Sequence, residues 1–221
     1  MNFLKLIKDI KNVKYDKKLE NLDVKDIKID SRKVENRDIF IALKGKDVDG
    51  NNFVSDALKR GASVIVSEND LPYENAVKVE DARNFYALAC KNFFDRACED
   101  LKVVAVTGTN GKTTTTQAIC EVLRFSGKKA GVIGTLCANF SGHNWNIDTG
   151  FTTPDPYILH NLFLQMKNNG CEYVVMEASA HAIALKKLDG IDFEVGVLTN
   201  ITEDHLDYFK NMEDYEEKIE I

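Results

Sequence analysis

Residues 103–116 read VVAVTGTNGKTTTT: a short apolar run, a loop holding Gly108 and Gly111, the triplet Gly-Lys-Thr, and residues able to start a helix. Strand, glycine loop and helix in that order is the arrangement by which a backbone binds a polyphosphate. Glycine removes the Cβ that would hold the main chain away from phosphate oxygens, and the N–H groups opening the helix face the anion. On this reading Gly108, Thr109, Asn110, Gly111, Lys112, Thr113 and Thr114 form a nucleotide loop. Lys112 reaches the β- and γ-phosphates and the Thr113 hydroxyl sits on the accompanying Mg²⁺. The spacing is narrower than G-x-x-x-x-G-K-[ST], because Val106 stands where that pattern has its first glycine.

A chain of 221 residues, 44% hydrophobic and 29% charged, has room for one large or two modest globular domains. A formal charge of −6 argues against a nucleic-acid partner held by its phosphates. No apolar stretch approaches the ~20 residues of a membrane span, and the start MNFLKLIKDIKNVKYDKK has no signal-peptide core. The expectation is a cytoplasmic protein without membrane insertion. The five cysteines include no C-x-x-C pair, so buried or free thiols are expected rather than metal ligands or disulfides.

Segments 27–29, 38–43, 63–67 and 76–79 read as strands, with a helix over 51–60 stopped by Gly61 and another from Asp81 through Cys98. The composition changes at Glu99-Asp100-Leu101, which places a domain boundary there. Beyond the loop, the pattern predicts a helix over 112–126, a strand over 129–134, a long polar stretch over 135–156, a helix over 157–169, and strands over 172–176 and 193–199. The fold class expected is α/β. A small amino-terminal α/β domain, 1–100, precedes a P-loop-type domain with a mostly parallel sheet, 101–221.

Parallel sheets bind ligands at the carboxyl ends of their strands. Glu177 follows the apolar run YVVM, within reach of a metal on Thr113; alone it is also compatible with a helix-capping role. Asn200 and the cluster Asp204-His205-Leu206-Asp207 follow the next strand and could supply a second metal site, although acid-rich loops also cap helices.

DSR at 30–32, TGTNGKTTT at 107–115, TTP at 152–154, MEASAHA at 176–182 and TNITEDHLDYF at 199–209 occur in the order seen in the Mur ligases, and the chain resembles that family over essentially its whole length. The resemblance is closest to the branch that adds the third peptide residue in peptidoglycan synthesis. It implies an ATP- and Mg²⁺-dependent ligase whose partners are a UDP-N-acetylmuramoyl dipeptide and a free amino acid, diaminopimelate or lysine. The reaction implied is amide-bond formation through an acyl phosphate.

By the same resemblance, Lys112 and His205 are catalytic, and Asn200 joins the ATP-binding loop. Ser31, Thr152, Thr153, Ser179 and Lys187 match substrate-binding positions, and Thr113, Glu177 and His205 match metal ligands. Three positions depart from the family pattern: Phe151 replaces Asn before TTP, Ser179-Ala180-His181 replaces S-S-H, and Lys187 replaces an Arg, losing its bidentate fork. The family places a carbamylated lysine four residues after a tyrosine, yet Ile219 holds that position after Tyr215 and the nearest lysine is Lys218. The resemblance further implies three domains, with this chain stopping inside the second. The chain alone is therefore expected to bind its ligands without completing ligation. A binding module and a small kinase on the same loop stay open as alternatives. Oligomeric state is open, with a monomer as the default.

Overall fold

The computed structural model describes residues 1–145, 152–202 and 213, and its contacts divide the chain into two compact units, Met1–Phe93 and Phe94–Ile221. In the first unit the elements are α1 (Phe3–Leu6), β1 (Ile27–Lys28), β2 (Ile39–Ile41), α2 (Val54–Lys59), β3 (Val64–Ser67), β4 (Ala76–Lys78) and α3 (Ala82–Phe93). The four strands pair in parallel in the order β1-β2-β3-β4. Strands β2 and β3 are buried at every position, which is why they read as unbroken apolar runs rather than as alternating ones. Phe40, Ala42, Val54, Ala57 and Ile65 pack α2 onto this sheet.

Helix α3 stops at Phe93 and does not reach Cys98 as expected. Asp95 and Arg96 adopt left-handed backbone angles (φ 55° and 53°), which an α-helix of L-residues cannot continue through. Residues Ala97–Asp100 then form a single 3₁₀ turn. The division between units accordingly falls before residue 100.

The second unit contains β5 (Lys102–Thr107), α4 (Lys112–Phe125), β6 (Ala130–Ile133), β7 (Ala138–Phe140), β8 (His143–Trp145), α5 (Pro156–Asn168), β9 (Tyr173–Glu177), α6 (Ala180–Ala184) and β10 (Phe193–Leu198). Its sheet runs β10-β5-β9-β6-β7-β8, with the first four strands parallel. The mostly parallel α/β sheet expected from the sequence is present. The stretch 135–156 differs from expectation: it holds the antiparallel hairpin β7–β8, turned at Ser141 and Gly142, both at positive φ.

Side chains of successive strand residues point to opposite faces. Val104, Val106, Val132 and Val175 therefore pack toward α4 with Cys120. Val103, Ala105, Ile133, Val174 and Met176 pack on the other face with Leu159, Phe163 and Met166 of α5, and the 97–100 turn joins that core. Burial pushes the Cys171 thiol up to about 11 and raises that of Cys120, so neither is a thiolate at neutral pH. Among the described residues no helix is long and apolar enough to cross a membrane.

Phe163 is fully buried and Phe125 is 90% exposed, although both are helical phenylalanines. Phe163→Ala should cost about 3–5 kcal/mol of unfolding free energy. Phe125→Ala should change it by no more than about 0.5 kcal/mol. Urea denaturation of the two variants checks both values.

Candidate functional site

Strand order decides which residues meet. Because β9 lies between β5 and β6, Glu177 at the end of β9 comes beside both the glycine loop after β5 and the turn after β6. Strand β10 flanks β5 on the other side and brings Thr199 and Asn200 to the same loop. A cleft of about 370 Å³ opens at these strand ends, lined by Thr109, Asn110, Gly111, Lys112, Thr113, Thr114, Thr135, Thr152 and Glu177.

Gly111 caps α4 in a left-handed conformation (φ 84°), and Thr115 N–H makes the first intrahelical bond, to the Gly111 carbonyl at 2.9 Å. The N–H groups before it cannot pair within the helix, which gives the cleft the positive end of the α4 dipole. Lys112 folds back, its Nζ donating to the carbonyls of Gly108 at 2.7 Å and Thr109 at 2.9 Å. An ammonium held by carbonyls of its own loop stands at the mouth of an anion site.

Glu177 is the final residue of β9, rather than the residue after the strand, and is 1% exposed. Its Oε2 accepts from the Thr113 hydroxyl at 2.9 Å and lies 3.2 Å from the Thr135 hydroxyl; its Oε1 accepts from the Thr135 N–H at 2.8 Å. Among the described residues no basic side chain forms an ion pair with it. A buried carboxylate held only by neutral donors is costly, and a hard divalent cation on the same oxygens would offset that cost. Thr113 and Glu177 thus fit a Mg²⁺ site in donor type and placement. Gly134 makes the arrangement possible: a Cβ there would fall 2.2 Å from Glu177 Oε1.

The sequence marked neither Gly134 nor Thr135. They follow a short strand with no motif, and only the adjacency of β6 and β9, which no linear pattern shows, brings them to Glu177.

The remaining expected site residues divide by location. Thr152 faces the cleft. Thr153 is buried, its Oγ1 3.0 Å from the Glu177 carbonyl oxygen and accepting from Ser179 N–H at 2.9 Å. Ser179 in turn caps α6 by accepting from Ala182 N–H. These two hydroxyls brace the chain that leaves β9. Lys187 Nζ pairs with Asp155 at 2.5 Å and its side chain is 11% exposed. Ser31 belongs to the first unit, at the start of the single turn Ser31–Lys33. Asp30 caps that turn, and the Arg32 guanidinium beside it draws the Asp30 carboxyl down to about 2. His205, with Asp204 and Asp207, lies outside the described residues, as do Phe151, Tyr215, Lys218 and Ile219.

Two family descriptions match the chain: the Mur ligase middle domain over residues 106–221, and the Mur ligase family catalytic domain over residues 23–93. UDP-N-acetylmuramoyl-L-alanyl-D-glutamate–2,6-diaminopimelate ligase of Clostridium perfringens is 42% identical over 199 residues, covering 89% of this chain and 41% of that protein. The same-named ligase of Clostridioides difficile is 40% identical over 209 residues, covering 94% and 42%. Among solved structures, a UDP-N-acetylmuramoyl-L-alanyl-D-glutamate–2,6-diaminopimelate ligase superposes with a TM-score of 0.82 at 29% identity, over 99% of this chain and 44% of that one. A MurF ligase from Thermotoga maritima in complex with ADP superposes with a TM-score of 0.53 at 25% identity, over 88% and 42%. The chain spans about two fifths of the length of the curated relatives it matches.

Replacing Gly134 by Ala should push the Glu177 carboxylate off Thr135 and out of line with Thr113. The expected result is a folded protein, by circular dichroism, whose Mn²⁺ affinity in the presence of ADP falls at least about tenfold, ~1.4 kcal/mol, by paramagnetic resonance titration.

Proposed function

Because the chain belongs to the Mur ligase family, we propose that the protein carrying it is an ATP-dependent amide-bond-forming ligase. It adds the third amino acid to UDP-N-acetylmuramoyl-L-alanyl-D-glutamate in peptidoglycan synthesis, in the cytoplasm. Diaminopimelate is favoured over lysine, since the relatives' names specify it. The observation that carries this reading is the meeting of Lys112, Thr113 and Glu177 in one cleft at the start of α4.

A carboxylate of the nucleotide-linked dipeptide is a poor acyl donor because an oxide would have to leave. Its oxygen attacks the γ-phosphorus of ATP, the bond to the β-phosphate oxygen breaks, and ADP departs from the resulting acyl phosphate. The amine nitrogen of the incoming amino acid then adds to the acyl carbon, loses a proton, and expels phosphate. Lys112 exchanges its bonds to the Gly108 and Thr109 carbonyls for phosphate oxygens, and the α4 N-terminus binds the same charge. Thr113 and Glu177 would hold Mg²⁺, which when bound would supply charge neutralisation on the phosphates.

His205 is proposed as a ligand for a second metal beside the acyl phosphate. Of the proposed substrate contacts, Thr152 lines the cleft, while Ser31, in the first unit, is buried. Thr153, Ser179 and Lys187 would act from positions where each already holds a neighbouring part of the chain.

Lys112→Ala removes one charged hydrogen-bond donor, and the loss of ~1.5–3 kcal/mol weakens ATP·Mg²⁺ binding by about tenfold or more in calorimetric titration. The ligase assignment itself is tested with the protein carrying this chain. ADP and phosphate should appear together only when UDP-N-acetylmuramoyl dipeptide and diaminopimelate are both supplied. A stable phosphoester, or ATP turnover without the amine, would contradict it.

A further inference from the structure

The glycine loop is gripped from the side away from Glu177. The Thr109 hydroxyl, on a residue 7% exposed, donates to the Thr202 carbonyl at 3.1 Å and accepts from Thr202 N–H at 3.0 Å. Thr109 N–H donates to the Asn200 carbonyl at 3.0 Å. Asn110 N–H donates to Asn200 Oδ1 at 3.0 Å, while Asn200 Nδ2 donates back to the Asn110 carbonyl at 3.0 Å. The Thr199 hydroxyl lies 2.7 Å from the same carbonyl. Gly108 owes its identity to this contact: a Cβ there would fall 2.3 Å from Thr199 Oγ1 and 2.7 Å from the Asn200 carbonyl oxygen, in a backbone at φ 126°.

These bonds occupy groups that a nucleotide loop is ordinarily expected to turn toward phosphate. Asn110 N–H and the Thr109 hydroxyl are directed at residues 199–202 and away from any anion in the cleft. We propose that Thr109 and Asn200 are positioning residues, which lock the loop to the end of β10 so that the loop backbone and the α4 N-terminus are held in place before nucleotide arrives. The proposal rests on reading the cleft as a nucleotide site. Loop ordering then precedes binding, so its entropy does not oppose binding. Only a carboxamide can complete this lock at position 200, since it offers one acceptor to the N–H and one donor to the carbonyl of the same residue, Asn110. A carboxylate of the same size would keep the acceptor for Asn110 N–H but set an oxygen, in place of the donor Nδ2, against the Asn110 carbonyl.

The test compares Thr109→Val, Thr109→Ser and Asn200→Asp in the 221-residue chain. ADP affinity is measured by titration, and amide exchange at Asn110 by NMR. Asn200 is exposed, so its variant keeps the fold even if the buried Thr109→Val does not. Asn200→Asp and Thr109→Val should raise the ADP dissociation constant about tenfold and speed Asn110 exchange, while Thr109→Ser restores both. Wild-type affinity in Asn200→Asp and Thr109→Val would overturn the lock while leaving the nucleotide site intact. Weak binding by Thr109→Ser equal to that of the Val variant would overturn the hydroxyl's part in it. A wild-type chain that binds no ADP would overturn the site reading itself, and the positioning role with it.

Discussion

The Glu177 carboxylate, buried at the end of β9 with no basic partner among the described residues, is the constraint around which the second unit is arranged. An ionised group in that position is tolerated only if every approach to it delivers a donor or a cation. The parallel sheet meets the requirement by placing β9 between β5 and β6, so that Thr113 arrives from the glycine loop and Thr135 from the turn after β6. Gly134 leaves space for the carboxylate, and Thr153 holds the carbonyl of the same residue. The arrangement leaves Oε2 shared with Thr113 at a place where a hard cation would complete the charge balance.

Two other strands of the same sheet divide the remaining work. Strand β5 ends in the loop that turns into α4, so the helix dipole and Lys112 point at the cleft that Glu177 borders. Strand β10, beside β5, carries Thr199 and Asn200 to the outer side of the loop. The loop is therefore held between an acidic residue on one neighbour and a polar clamp on the other. Both restraints follow from strand order, and neither requires residues close in sequence.

That dependence on strand order marks the limit of what could be read from the chain alone. Local signals sufficed for the strand-loop-helix at 103–116, because apolar run, glycines and Gly-Lys-Thr are contiguous, and for the four strands of the first unit. Helix α3 was read too long because its apolar pattern continues past Phe93, while the left-handed turn at Asp95 and Arg96 has no glycine to announce it. The β7–β8 hairpin was missed because Ala138–Phe140 and His143–Trp145 are short and carry no β-branched residues. Gly108 was legible as a special position from the loop pattern; the approach of Thr199 and Asn200 to it was not, because it depends on β10 lying beside β5. Thr135 carried no signal, since its importance arises only from a neighbouring strand.

The central claim is that Thr113 and Glu177 form the metal-dependent part of a nucleotide site. The direct measurement is ATP affinity of the wild-type chain and of Glu177→Gln, each with Mg²⁺ and with chelator. With the metal held by these two residues, Mg²⁺ tightens wild-type binding at least about tenfold, ~1.4 kcal/mol, and leaves binding by the Gln variant unchanged. Equal Mg²⁺ dependence in the two proteins would contradict it.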